Sequence, residues 1–307
     1  MHYVAPLQGH TDAAWRRWHS MEYCGTARYF TPFIRVEKGV PRDRDVRDYT
    51  STLNVGVDVE PQVIFDGMDE LHTLVRELVR LGARSVNLNM GCPFPLQTGR
   101  GRGAGILAQP ARLEGLGDLM AEFAPMRFSV KMRLGYDDPG EWRQIMPILN
   151  RLPLEFVAVH PRTARQQYSG SLYMGEFGAL AAESAAPVIF NGEIRTPDDI
   201  AAIMARYPGI AGVMTGRGVL GRPSLLEEYD SGCELAVAVR IARMLRFHDH
   251  VLAHYARTLC GDAQILSKIK PFWEYAEHEI GRKVYKSIRK AGSMSKYLQA
   301  LTSLRDI

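Results

Sequence analysis

The sequence predicts an α/β protein, a (β/α)8 TIM barrel followed by a small C-terminal helical bundle. Three observations predict it. Eight short Val/Ile/Phe-rich segments alternate with helical patterns over about 220 residues, as parallel strands joined by helical crossovers do. Those segments leave little room for a solvated face, which suits strands covered by helices. Polar residues stand at the carboxyl ends of seven of the eight, where barrels of this kind build their sites. A doubly wound sheet is the alternative, but no Gly-x-Gly-x-x-Gly follows the first strand.

The predicted strands, in order, are 2–5, 28–34, 62–65, 85–90, 128–132, 156–160, 188–190 and 212–215. Between them lie helical patterns at 68–81, 111–123, 141–151 and 196–206. In the first helix Leu71, Leu74, Val75, Leu78 and Val79 form the apolar stripe. The last opens on Thr196-Pro197-Asp198-Asp199, an N-cap, a first-position Pro and first-turn acids. Read along the barrel, the strand ends are Ala5-Pro6-Leu7, Gln62, Asn89 with Cys92, Lys131 with Arg133, His160 with Arg162, Asn191-Gly192-Glu193 and Gly216-Arg217-Gly218.

Cys92 stands out among these. Gly91 and Pro93 break the strand on either side of it, so the thiol sits on a tight turn at a strand tip. The loop 94–105 that follows holds Gly99, Gly101, Gly103 and Gly105 with Arg100 and Arg102 between them. A thiol under a mobile basic lid suits a general acid or a nucleophile. A cysteine filling a gap in the core is the plainer reading, but it needs no Gly-Cys-Pro turn.

Composition narrows the class. At 307 residues, 46% hydrophobic and 23% charged, the chain has enough length for one large domain with a small appendix. No apolar run approaches a membrane span, and the first residues carry no signal pattern. Cys24, Cys92, Cys233 and Cys260 are scattered without a Cys-x-x-Cys pair, which argues against a zinc or iron–sulfur site. The expectation is a cytoplasmic protein with no metal, no membrane association and no obligate protein partner. His10, His248, His250 and His254 read as structural or surface residues, and 38–48 as a charged loop.

Charge is unevenly spread. Residues 236–307 hold 13 Lys and Arg against 6 Asp and Glu, whereas the rest of the chain is slightly acidic. Arg282, Lys286 and Arg289 recur at helical spacing, with Lys283 and Lys290 beside them. Such a basic face points to a polyanion partner.

The last two strand ends point to a phosphate. Gly192, Gly216 and Gly218 permit close backbone approach, and Arg217 adds a forked donor. A phosphate site with Gln62, Lys131 and His160 around a flat space describes a pocket for flavin mononucleotide (FMN). Over nearly its whole length the sequence resembles the tRNA-dihydrouridine synthases. The resemblance rests on Ala5-Pro6-Leu7, Leu88-Asn89-Met90-Gly91-Cys92-Pro93, Gly103-Ala104-Gly105-Ile106-Leu107, Val130-Lys131-Met132-Arg133-Leu134-Gly135, His160-Pro161-Arg162-Thr163, Asn191-Gly192-Glu193-Ile194 and Gly216-Arg217-Gly218. Leu7 stands where the family often has Met, and Pro161 where Gly is usual.

The resemblance implies an FMN-binding catalytic barrel over 1–233 and a basic helical tRNA-binding domain over 236–307. It implies reduction of the C5–C6 bond of a uridine in tRNA, with FMN as hydride carrier and NADPH as reductant. Cys92 is then the proton donor to C5. Ala5, Pro6, Leu7, Gln62, Lys131, His160, Asn191, Gly192, Glu193, Gly216 and Arg217 are expected around the cofactor. Asn89, Arg133, Arg162, Arg100, Arg102, Arg282 and Lys286 are expected to face the RNA. The alternatives are the same chemistry on ribosomal RNA, a dihydroorotate-dehydrogenase-like enzyme acting on a free pyrimidine, and an RNA-binding protein without catalysis.

Overall fold

The structure, a computed structural model, describes residues 1–305. Nine strand segments make one parallel sheet: β1 (His2–Val4), β2 (Arg28–Phe30), β3 (Val59–Glu60), β4 (Gln62–Val63), β5 (Ser85–Met90), β6 (Arg127–Gly135), β7 (Leu154–Thr163), β8 (Val188–Phe190) and β9 (Gly212–Thr215). Neighbours follow the order β3-β2-β1-β9-β8-β7-β6-β5-β4. Only Pro61 separates β3 from β4, so the two ends of the sheet are halves of one strand and the nine segments close as eight. The barrel is the predicted one.

The strands differ from expectation where proline and length intervene. The second stops at Phe30, ahead of Pro32, and Ile34 keeps a single bridge to Val63. β6 and β7 run past the predicted ends, so Arg133 and Arg162 lie within strands rather than beyond them. Segment 38–48 is not a loop: Val36–Glu37 and Val40–Pro41 form a hairpin, and Asp43–Tyr49 is a helix.

Around the barrel run α1 (Ala13–Glu22), α2 (Met68–Arg80), α3 (Leu116–Glu122), α4 (Trp142–Leu149), α5 (Met174–Glu183) and α6 (Pro197–Arg206). In α6 Thr196 and Asp199 complete a reciprocal capping box. Along α2, Leu71, Leu74, Val75 and Leu78 are buried, but Val79 is 44% exposed. At 100° per residue it lies about 80° round from Leu71, at the edge of the stripe. The helix expected at 111–123 is broken at Gly115, whose φ of +84° no helix continues through.

Strand alternation sorts the core into two layers. Val86, Leu88 and Met90, with Phe128, Val130 and Met132, face the helices in the large outer cluster. Inside the barrel Tyr3, Phe30, Phe156, Ile189 and Met214 form a separate cluster with Ala5 and Ala158. The opposite interior wall, from β3 to β6, is lined by buried Glu60, Gln62, Asn87, Asn89 and Ser129.

Beyond the barrel lie α7 (Val237–Thr258), α8 (Asp262–Ile269), α9 (Arg282–Lys290) and α10 (Met294–Arg305). They dock on α1 through Trp15 against Phe247, whose ring centroids are 5.5 Å apart, and through Arg243 paired with Glu22, while Arg243 also pairs with Glu227 in the helix Leu225–Ser231. Lys268 reaches Asp12 at 2.6 Å. Among the described residues no helix is long and apolar enough to cross a membrane.

Candidate active site

The turn after β5 is built by one side chain. The Asn89 Oδ1 accepts the N–H groups of Gly91 (3.0 Å) and Cys92 (2.9 Å), closing the strand end and presenting the thiol to a cavity at the carboxyl face of the barrel. That cavity measures about 330 Å³. Cys92 is nonetheless only 8% exposed, because Gly103 packs onto it: a Cβ there would stand 2.8 Å from the Cys92 Cβ and carbonyl oxygen. Substituting Gly103 therefore collides with the turn itself. Burial pushes the thiol above its usual range, against the opposing pull of the Phe94 backbone, Arg133 and Lys131. Cys92 is a neutral S–H at neutral pH.

Lys131 faces the same cavity from β6 and donates no hydrogen bond among the described residues. Withdrawal from water, then the nearby Arg133 charge, pushes its ammonium down to about 7. Arg133 is committed: Nε donates to the Gly91 carbonyl at 3.0 Å, Nη1 to the Thr163 carbonyl at 2.7 Å, and the guanidinium lies 5.4 Å from the Tyr168 ring centre. His160 has no hydrogen-bond partner among the described residues, and burial followed by four surrounding cations holds it neutral.

Gln62 and Asn89 are partly spent on each other. Asn89 Nδ2 donates to the Gln62 oxygen and Gln62 Nε2 to the Asn87 oxygen, each at 2.7 Å. Each amide keeps one free N–H, and with its oxygen taken by two backbone N–H groups Asn89 is a donor only toward a ligand. At the ends of β8 and β9, Asn191 donates to the Met214 carbonyl, and Gly218 lets the Ile194 carbonyl approach where a Cβ would sit 1.9 Å from its oxygen.

Every residue expected around a cofactor lines this cavity, together with Asn89, Cys92 and Arg133. Other expectations need correction. Arg162 is buried off the cavity, its guanidinium held by Glu193 at 2.6 Å and by the Gly170 carbonyl. Arg102 is not on a mobile lid: it is 5% exposed and paired with Glu70, its Nε 3.0 Å from Oε2. The loop 94–105 is instead packed down as short helical turns at Pro95–Thr98 and Gly103–Ala108, the second largely buried. Glu193, which lines the cavity, pairs with Arg162, Arg195 and Arg217 and so restrains Arg217. Burial alone would raise its carboxyl, but the Arg162 hydrogen bond and the Arg217 charge hold it below the usual range. Arg100 is exposed outside the cavity, as are Arg282 and Lys286 on α9.

Several lining residues escape sequence reading, among them Tyr168, Tyr275 and His10. Tyr168 sits 4.6 Å under Arg217, and Tyr275 arrives from the C-terminal helices. Of the two readings given to His10, structural or surface, the structure shows the first: it lines the cavity 3.5 Å from Glu274, and burial holds it neutral. Tyr168 lies in the loop directly after β7, which a barrel reading allows. Tyr275, and the Glu274 that pairs with His10, depend on how the C-terminal helices dock, which no local signal encodes. Among the described residues no three His, Cys, Asp or Glu side chains converge to hold a metal.

The residues fit a flavin. Lys131 and His160 are polar groups on the cavity wall without partners among the described residues, and Gln62 and Asn89 each offer a spare donor.

Comparison with known proteins bears on the site. Residues 3–302 match the family model described as dihydrouridine synthase (Dus). A Synechocystis protein described as probable tRNA-dihydrouridine synthase 1 is 29% identical over 74% of this chain, and the match spans 63% of that protein's length, less than two thirds. A Rhodobacter capsulatus protein described as probable tRNA-dihydrouridine synthase is 26% identical over 83% of this chain and 79% of its own. Among solved structures, morphinone reductase superposes with a TM-score of 0.54 at 12% identity, covering 76% of this chain and 86% of that one. The old yellow enzyme from Trypanosoma cruzi superposes with a TM-score of 0.52 at 8% identity, covering 77% and 89%. These two likenesses are of fold alone. The family match spans nearly the whole chain, and the chain belongs to the dihydrouridine synthase family of oxidoreductases.

Proposed function

We propose that this protein is a tRNA-dihydrouridine synthase that reduces the C5–C6 bond of a uridine in folded tRNA, with FMN as its flavin and NADPH as reductant. One observation carries the reading: a neutral thiol, Cys92, is fixed on a rigid turn at the rim of the cavity that Lys131 and His160 line. When bound, the flavin supplies the hydride for C6 of the uracil. The rest belongs to the protein. Cys92 protonates C5 as general acid, and its raised pKa keeps the proton available until the ring demands it. Lys131 and the spare N–H of Asn89 would hold the flavin and the uracil edge as donors, favouring negative charge on the oxygens they face. Arg133 buttresses the turn through the Gly91 carbonyl and offers its remaining Nη2 to the substrate edge.

A base within folded RNA reaches this cavity only when extruded, at a cost of a few kcal/mol. Phosphate contacts offset that cost. Arg282, Lys286 and Arg289 are exposed along one face of α9, while Ile288 on the opposite face is buried. Relatives described as tRNA-dihydrouridine synthases and this basic face favour tRNA over a free pyrimidine.

The test is direct. Purified protein is incubated with FMN, NADPH and an unmodified tRNA transcript, and dihydrouridine is measured by nucleoside mass spectrometry. Formation by the wild type and its loss in Cys92→Ala support the proposal. Reduction of free orotate or uracil without reduction of tRNA refutes it.

A further inference from the structure

We propose that Glu60 is a positioning residue: it anchors a one-way chain of side-chain hydrogen bonds across the barrel interior that fixes the Cys92 turn. The chain is continuous. Ser129 Oγ donates to Glu60 Oε1 at 2.6 Å, and Asn87 Nδ2 donates to Ser129 Oγ at 2.7 Å. Gln62 Nε2 donates to Asn87 Oδ1 and Asn89 Nδ2 to Gln62 Oε1, both at 2.7 Å. Asn89 Oδ1 then accepts from the Gly91 and Cys92 backbone. All five side chains are buried.

Its direction is set at both ends. The backbone N–H groups at the top can only donate, so Asn89 must turn its oxygen to them and its nitrogen to Gln62. The same constraint passes to Gln62, to Asn87 and to the Ser129 hydroxyl, whose hydrogen is left for Glu60. A carboxylate is the acceptor such a chain needs, and bonds aligned this way polarise one another. Both Glu60 oxygens face donors, because Arg28 Nη1 stands 2.6 Å from Oε2. Burial raises the carboxyl to about 7, against the hydrogen bond from Ser129 and the charge of Arg28, while Glu155 and Asp58 share that arginine. With a donor on each oxygen, the ionised form is nonetheless the one its neighbours complete. A carboxylate at the foot of the barrel thus holds the orientation of two cavity amides and the turn that bears the thiol.

The catalytic meaning of that turn rests on the reading of Cys92 as proton donor, so the test reads the turn itself as well as turnover. Amide hydrogen exchange at Gly91 and Cys92 is measured on the full flavin-loaded protein. In Glu60→Gln, whose amide can donate where the carboxylate only accepts, exchange at both positions is expected to speed up about tenfold or more. The rate of tRNA reduction at saturating tRNA should fall with KM little changed. Ser129→Ala cuts the next link, leaves Glu60 in place, and should reproduce the effect. Combining the two should add little beyond either alone. Glu155→Gln relieves the same arginine without touching the chain and should leave exchange at Gly91 and Cys92 unchanged. Unchanged exchange in Ser129→Ala overturns the proposal, and so does an effect of Glu155→Gln equal to that of Glu60→Gln. Faster exchange with an undiminished reduction rate upholds the anchor of the turn and overturns its part in positioning the thiol for the reaction.

Discussion

The two walls of the barrel interior are made by the same strand geometry and do opposite things. One, from β7 round to β2, fills its space with Tyr3, Phe30, Phe156, Ile189 and Met214. The other, from β3 to β6, holds Glu60, Gln62, Asn87, Asn89 and Ser129 in an unbroken run of hydrogen bonds. The apolar wall is stabilised by burial and packing, which tolerate any well-fitting shape. The polar wall is stable only when every donor meets its acceptor, which ties each side chain to one orientation. The difference teaches where precision resides: the thiol turn, Lys131 and the free amide donors all belong to the wall that cannot relax.

The comparison makes predictions that can break it. The largest effect is on chemistry from the polar wall. Cys92→Ala should lower tRNA reduction by about 10²–10⁴-fold while flavin content, read by absorbance, stays at the wild-type level. A stability effect of similar size belongs to the apolar wall. Phe156→Ala should cost about 3–5 kcal/mol in urea denaturation, with turnover per folded molecule changed only a few-fold. A large kinetic defect there would erase the distinction.

Lys131 sharpens the comparison. Lys131→Met should slow tRNA reduction by about tenfold to a hundredfold. Its pKa gives a further signature. Lowered to about 7 by burial, the amine is largely neutral above that pH, and a flavin ring oxygen laid against it favours the protonated, donating form. FMN binding at pH 8 should therefore take up a proton, detected by calorimetry in buffers of different ionisation enthalpy, and Lys131→Met should abolish the uptake.

The smallest effects lie outside the barrel. Arg282→Ala and Lys286→Ala should each reduce the slope of log affinity for tRNA against log salt by about 1, with activity at saturating tRNA retained.

Much of this was legible in the sequence because it is local. Strand alternation at 85–90, the Gly-Cys-Pro turn and the polar strand ends of β6 to β9 are written in residues a few positions apart. What escaped depends on distant partners. Nothing near Arg102 announces Glu70, 32 residues away, so its charge read as an RNA contact when it is an internal ion pair. The chain from Glu60 to Asn89 joins three separate strands, and only the register that sets Gln62 beside Asn87 and Asn87 beside Ser129 brings its members together. Tyr275 and His10 meet across more than 260 residues of chain.

The most direct measurement of the central claim is position-resolved dihydrouridine content of bulk tRNA, by mass spectrometry, in source cells with the gene intact, deleted, and restored as wild type or Cys92→Ala. The account predicts that dihydrouridine disappears from a defined position on deletion, returns with the wild type and stays absent with Cys92→Ala. Full restoration by Cys92→Ala would contradict the assignment of that thiol, and unchanged tRNA on deletion would contradict tRNA as the substrate.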